Sequence, residues 1–270
     1  METSKFKIYS HQFQQTFRKH IHAWKFIKRN RLWEGLFHYG WVSKLLIFIA
    51  FILGIKFFFI GLSWVKNSGG NPMRAISNMG GMLQEFTLSS FNMMFYGSMK
   101  YVLLILLEVI IFHFSRMTVE KLTGKKGDVS LNVFLGAQLR MIKVAFRSWI
   151  AESVITAIIG ALFFLSGPFA IIESSLIFGV HCYYLGFVIL DNYNEQFGLS
   201  IKDSVKYSRQ YLGVALASGL FLHLVMMVPV VGSIVGPVVA SVAVTLVMFE
   251  LSDLHLKGEK VMEPEPEELV

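Results

Sequence analysis

Proline and glycine fall at the centres of the two longest apolar stretches in this chain. Residues 150–190 and 212–250 are apolar-rich, yet each is interrupted midway, at Ser166-Gly167-Pro168 and at Pro229-Val230-Val231-Gly232-Ser233-Ile234-Val235-Gly236-Pro237. Two other stretches, 45–65 and 91–115, carry no such break. A helix needs about 20 apolar residues to cross the hydrocarbon core, so the unbroken pair predicts two spanning helices. The broken pair predicts helical hairpins, an arrangement by which a chain enters the membrane and turns back and which often marks a transport site.

Composition agrees. The chain is 54% hydrophobic and 16% charged, with a mean hydropathy of +0.55, against about 25% charged residues in ordinary soluble domains. An all-α integral membrane protein is expected. The single cysteine, Cys182, excludes an intramolecular disulfide and any multi-cysteine metal site. The formal charge of +7 comes from basic residues flanking apolar spans, which reads as membrane orientation rather than nucleic-acid binding. The first forty residues are polar and basic without a cleavable signal pattern, so residues 45–65 would act as an uncleaved anchor.

Residues 12–29 read as an amphipathic helix. Phe13, Phe17, Ile21 and Trp24 recur at helical steps, and Arg18, Lys19, Lys25, Lys28 and Arg29 occupy most of the remaining surface. Such a helix can lie in the membrane interface or pack on its own protein. A second amphipathic helix is expected over 131–149, where Arg140, Lys143 and Arg147 share one stripe suited to an anionic substrate or to lipid headgroups.

Basic residues after the second span, Arg116, Lys121, Lys125, Lys126, Arg140, Lys143 and Arg147, put 116–149 on the cytoplasmic side. Both termini are then cytoplasmic and residues 66–90 external. The hairpin arms run roughly 148–165, 174–190, 212–228 and 238–250. The last arm would give about 20 Å of helix at 1.5 Å per residue, short of a core about 30 Å thick, which favours hairpins of partial depth. The organisation read from sequence is a cytoplasmic basic amphipathic segment (1–40), a membrane domain (41–252) and an acidic disordered tail (253–270) with Glu263, Glu265, Glu267 and Glu268.

Ionisable residues inside apolar segments are costly and need a reason. Lys56 lies in the first span, and Lys100 and Glu108 in the second. Lys56 and Glu108 are close enough in depth to pair, either fixing helix packing or serving as an ion relay. Glu173, beside Ser174 and Ser175, sits at the turn of the first hairpin. There it either complements the dipole of a serine-capped arm or binds a proton or cation. Gly236-Pro237 would open the last arm, with free N–H groups and the Ser233 hydroxyl available to an anion, or would simply make a tight turn. His113, His181 and His223 stand on separate apolar segments and read as interhelical hydrogen-bonding histidines. No metal spacing, phosphate loop or nucleophile–base pair is visible. Neither an enzyme nor a cofactor is expected.

The C-terminal half carries a resemblance. Gly167-Pro168-Phe169 precedes an apolar arm ending in Leu190-Asp191-Asn192-Tyr193; Gly198 to Asp203 is followed by Arg209; and Met227 to Pro237 is followed by Ala243 and Thr245. Upstream, Val119 to Gly124 and Phe26 to Trp33 belong to the same pattern. In order and spacing these stretches, spread over most of residues 15–252, resemble the CysZ-type sulfate-uptake proteins of bacteria. Those proteins share a domain with eukaryotic etoposide-induced membrane proteins. The resemblance implies two long spanning helices plus two partly penetrating hairpins, an oligomer in the bacterial inner membrane, and a small inorganic anion as substrate. The family's Gly-Leu/Ile-Arg motif corresponds to Arg31-Leu32-Trp33, with Arg31 at the glycine position and Trp33 at the arginine position. The family's Asp-Tyr-Pro is Asp191-Asn192-Tyr193.

Transport of sulfate or a similar oxyanion, by a channel-like or ion-coupled permease, is therefore the expected function. Lys28, Arg29 and Arg31 would concentrate the anion, and hairpin helix ends near Ser233 and Gly236 would replace part of its hydration shell. A non-transporting membrane scaffold or a lipid-handling protein is the alternative, with membrane lipids as partners in either case and no nucleic acid.

Overall fold

The structure is a computed structural model that describes residues 2–36, 44, 48, 52, 99–125, 131–163, 170–226 and 231–256. The described residues form helices and no strand. They are α1 (Glu2–Asn30), α2 (Met99–Thr123), α3 (Leu131–Phe163), α4 (Ala170–Gln196), α5 (Ile201–Ser208), α6 (Leu212–Met226) and α7 (Val231–Leu251). A short 3-10 turn, Arg209–Tyr211, joins α5 to α6. Five helical segments are long and apolar enough to cross a membrane: Lys100–Thr123, Val133–Phe163, Ile172–Gln196, Ile201–Met226 and Ile234–Leu251. The first expected span, 45–65, lies outside the described residues apart from two isolated positions, 48 and 52, as does the loop at 66–90.

Helix ends follow local chemistry. Gly124, with φ +73°, ends α2, and its N–H donates to the Glu120 carbonyl at 2.8 Å. Gly198, also at φ +73°, ends α4. Glycine adopts this left-handed conformation without the Cβ clash that other residues meet. Ser200 then caps α5, its hydroxyl oxygen accepting from the Asp203 N–H at 3.2 Å, which satisfies one of the free N–H groups of the first turn.

Around α4 the helices are ordered by close approach. Gly186 of α4 faces Ala215 of α6, and Gly219 of α6 faces Cys182 of α4. A methyl group on Gly219 would lie 1.7 Å from the Cys182 carbonyl oxygen, and one on Gly186 would lie 1.8 Å from that of Ala215. Small residues four apart on both partners let the two backbones touch, the packing device of membrane helices. On its other sides α4 meets α3, α7 and α2, while α2 is wedged between α7 and α3. The core is continuous, with Leu104, Ile111, Leu185, Ile189, Leu222 and Val247 fully buried. By contrast, among the described residues α3 is covered on one side only, and Leu139, Phe146, Ile158 and Leu162 are exposed on its other face.

Three sequence expectations change here. The amphipathic segment 131–149 and the first hairpin arm are one helix, α3, of 33 residues and about 50 Å. No helix breaker separates Trp149 from Ile150; only composition changes there. The last arm is also longer than expected. α7 has 21 residues and contains Pro237, giving about 31 Å at 1.5 Å per residue. The short-arm reason for partial depth therefore does not hold. Residues 253 and 254 belong to the fold rather than to the tail. The Tyr207 hydroxyl donates to the Asp253 carboxylate at 2.9 Å, and Leu254 is buried. The acidic residues 263–268 lie outside the described residues.

The N-terminal helix docks by its less apolar face. Gln12, Thr16, His20, Ala23 and Ile27 are buried, whereas Ile21 is 66% and Trp24 44% exposed, and α1 lies on α6 and α7. Small and self-satisfied side chains make this possible. The Thr16 hydroxyl donates to the Gln12 carbonyl at 2.7 Å, and His20 Nδ1 donates to the Thr16 carbonyl at 2.8 Å. Gln12 donates to the Gln210 carbonyl at 2.9 Å and accepts from the Gly213 N–H at 3.2 Å. Lys19 pairs with Glu250 of α7. The apolar stripe read in the sequence points away from the protein, as it would toward lipid.

His20 makes this contact pH-sensitive. Its ring packs on Phe221 at 4.0 Å between centroids, and its Nε2 has no hydrogen-bond partner. Burial holds its pKa down, from 6.5 to about 4, against the opposing pull of the Thr16 carbonyl. The unfolded chain therefore binds more protons than the folded one between these values. Stability is full above pH 6.5 and falls as pH drops toward 4, by roughly 3 kcal/mol in all. Melting the purified protein between pH 7.5 and 4.5 should show this loss, and His20→Met should reduce it relative to wild type.

Candidate functional site: buried charge at two depths

The first polar cluster lies where α3, α4 and α5 meet. Arg140 of α3 donates from Nε and Nη2 to the two carboxylate oxygens of Asp191, both at 2.9 Å, and from Nη1 to the Leu199 carbonyl at 2.5 Å. Its Nε is also 3.8 Å from Glu195. Ser204 of α5 donates to Asp191, and Asn194 donates to Ser204 and Ser208 at 2.9 and 3.1 Å. A bidentate guanidinium–carboxylate pair fixes orientation as well as charge, so α3, α4 and the α4–α5 turn are locked together here. The basic stripe of the sequence is thereby divided, since Arg140 is used internally while Lys143 and Arg147 stay exposed.

The second cluster lies deeper. Glu152 is on the same helix as Arg140, about 18 Å along its axis at 1.5 Å per residue. It accepts three hydrogen bonds: from Lys100 Nζ at 2.5 Å, from Tyr101 Oη at 2.5 Å and from His181 Nδ1 at 2.8 Å. Lys100 Nζ and His181 Nδ1 share Oε1 and stand 3.4 Å apart. All four side chains are buried. Lys100 and Glu152 pair as opposite charges, the condition under which such groups persist in an apolar interior. Cys182 and His223 adjoin it, Sγ to Nδ1 4.0 Å, with His223 Nδ1 donating to the Gly219 carbonyl at 2.9 Å. Among the described residues no group of three or more metal-ligating side chains converges.

The described residues among those singled out from sequence do not form one site. Lys28 and Arg29 are exposed in the last turn of α1, where cations suit the helix dipole, and Lys28 Nζ lies 5.2 Å over the Trp24 ring. Arg31 follows, exposed, with φ +49° and its guanidinium 3.5 Å from Glu34. His113 Nε2 donates to the Leu32 carbonyl at 2.8 Å, which ties this basic end of α1 to α2. Glu108 of α2 lies five residues before His113, about 8 Å along the axis. Its hydrogen-bond neighbour is Asn192 Nδ2 at 3.5 Å. Lys56, its expected partner, lies outside the described residues.

Three expected roles change. Ser233 is in the first turn of α7, which begins at Val231, so Gly236 and Pro237 lie inside the helix rather than opening it. Gly236 is buried against Val225 and Leu222 of α6, serving close packing rather than an exposed N-terminus. Glu173 is in the first turn of α4, as its dipole role requires. Ser174 and Ser175 follow it inside the helix and do not cap it. Of the three histidines, His113 and His181 make hydrogen bonds beyond their own helices, and His223 reaches Cys182 of α4 besides its bond within α6.

Sequence reasoning missed Glu152 and Asp191 as buried partners, and Arg140 as the half-buried partner of Asp191. Each is a charged residue within or beside an apolar run, the same signal that marked Lys100 and Glu108. No family model, curated protein or solved structure matches this chain.

Proposed function

We propose that this protein carries a small inorganic anion, sulfate or a similar oxyanion, across the bacterial inner membrane, as a channel-like or ion-coupled permease with both termini cytoplasmic. The observation that carries the reading is the basic end of α1. Lys28, Arg29 and Arg31 are grouped there, exposed, and tied to α2 through His113 and Leu32. Arg31 has the positive φ expected at the glycine position of the family motif, which supports the resemblance. The resemblance also implies that α3–α4 and α6–α7 are hairpins turning back within the bilayer, and that copies of the chain assemble.

Liposomes containing the purified protein should take up radiolabelled sulfate above protein-free liposomes, at pH 6 and pH 8, in competition with other oxyanions. A cation that binds the anion directly contributes about 1.5–3 kcal/mol, so Arg31→Ala should lower uptake at subsaturating sulfate about tenfold or more. Unchanged flux in Arg31→Ala removes that residue from the pathway. No uptake by folded, inserted protein favours a membrane scaffold or lipid-handling protein instead.

A further inference from the structure

We propose that the outward face of α1 is a docking surface for anionic phospholipids, which it selects over neutral ones by their headgroup charge. The inference rests on how side chains divide around α1 and stands whether or not the chain transports an anion.

The circumference of α1 carries three strips. The first, Gln12, Thr16, His20, Ala23 and Ile27, is buried on α6 and α7. The second is apolar and, among the described residues, uncovered. Phe6, Phe17, Ile21 and Trp24 recur at i, i+11, i+15 and i+18, and each is exposed. The third is cationic. Arg18, Lys25 and Arg29 stand at i, i+7 and i+11, all exposed, and the first two directly follow Phe17 and Trp24. Going round the helix, the order is protein, apolar, cationic. A helix that only packs on its protein turns its apolar stripe inward. An apolar strip left outside, with cations along its far edge, suits the boundary between acyl chains and headgroups.

Two observations fix the sign and class of the partner. The first is the charge. No acidic residue occurs between Glu2 and Glu34. Lys19 and Arg31 are engaged by Glu250 and Glu34, whereas Arg18, Lys25, Lys28 and Arg29 have no counter-charge among the residues between. The second is Lys28. It stands in line with the apolar strip, and its Nζ lies 5.2 Å over the Trp24 ring. Its stem is laid along apolar surface with the ammonium outside, the posture of a lysine at a membrane boundary. A free inorganic anion would use the cations and leave Phe17, Ile21 and Trp24 in water. A phospholipid offers phosphate and acyl chain in one molecule, and the five long apolar helices supply the reason for a bilayer to be at hand. Anionic lipids gain over zwitterionic ones because each lysine or arginine near a negative membrane surface favours binding about fivefold.

The test uses the full chain in nanodiscs of phosphatidylcholine with a minor share of phosphatidylglycerol. Trp24 is kept as the single tryptophan, with phenylalanine at the other four positions. Bromine on the acyl chains of one lipid class quenches a tryptophan that touches that class. Per mole of brominated lipid, phosphatidylglycerol should quench Trp24 about fivefold or more better than phosphatidylcholine does, and rising salt should erode the difference. Replacing Lys25, Lys28 and Arg29 together by glutamine should abolish the preference. Lys202→Gln with Lys206→Gln, exposed cations of α5, should keep it. Should the single-tryptophan chain not fold, the difference between wild type and Trp24→Phe gives the same readout, and the salt series needs no charge variant. Equal quenching by both lipids would overturn the proposal, as would a preference that survives the triple glutamine variant. No quenching by either lipid would overturn it in favour of a protein partner on this face. Loss of the preference in sodium sulfate, beyond that in chloride of equal ionic strength, would overturn it in favour of a free anion.

Discussion

Gly219→Ala should destabilise the protein by about 3 kcal/mol or more, although it adds a single methyl group. Overpacking a core costs typically about 1–3 kcal/mol when side chains can shift. Here the added carbon would meet backbone: 1.7 Å from the Cys182 carbonyl oxygen and 2.5 Å from its carbonyl carbon. Only separation of α4 from α6 relieves that, and separation loosens the reciprocal contact at Gly186 and the seat of His223 beside Cys182. Gly136→Ala and Gly179→Ala are the controls. Neither methyl would meet anything within 4 Å, and alanine is a better helix former by about 1 kcal/mol, so both should be neutral or stabilising. Melting of the purified variants decides the matter. A Gly219→Ala variant as stable as wild type would show that the two backbones are not in contact.

The second large effect is expected at Lys100 and Glu152. Their side chains are 0% and 3% exposed, and removing one member of a buried pair leaves the other uncompensated, at about 3–5 kcal/mol. Lys100→Met and Glu152→Met should each lose that much. The double variant should recover most of the loss, because two methionines replace two charges that no longer need one another. Tyr101 and His181 modify the symmetry. Both donate to Glu152, so Glu152→Met strands two more polar groups and should be the worse single change, and Glu152→Gln the milder one. Additive losses in the double variant would mean that the pair does not interact.

Much of this fold is legible in the sequence because apolar length and helix breakers act locally. The apolar runs among the described residues become long helices, and the glycines at 124 and 198 end helices where the chain needs positive φ. What fails is whatever depends on a partner. α3 is divided in the sequence reading at a change of composition near Trp149, yet a helix stops at a backbone signal and none is present there. The amphipathic pattern of α1 identifies a helix but not its inward face. Gln12, Thr16 and His20 satisfy their hydrogen bonds locally and are buried, while Ile21 and Trp24 turn outward. In a soluble protein that assignment would be inverted. Beside a bilayer the apolar stripe has an apolar solvent to face.

Charged pairs are the least legible part. Lys100 and Glu108 stand out as ionisable residues in an apolar run. Their surroundings come from α3 and α4, on separate stretches of the chain, and spacing along one helix does not reveal them. Arg140 illustrates the difficulty. It belongs to a regular basic stripe with Lys143 and Arg147, and only the approach of Asp191 separates its role from theirs. The basic end of α1 was readable as a group because its members are adjacent in sequence.

α3 has a consequence for how the protein sits in lipid. An unbroken helix of about 50 Å exceeds the hydrocarbon thickness by about 20 Å, and Arg140 fastens it to α4 and the α4–α5 turn within its first third. Glu152 fastens it again twelve residues further on, to Lys100 and Tyr101 of α2 and to His181 of α4. A bilayer of different thickness is then met by tilting α3 together with α2 and α4, so membrane thickness would act on both charged clusters at once.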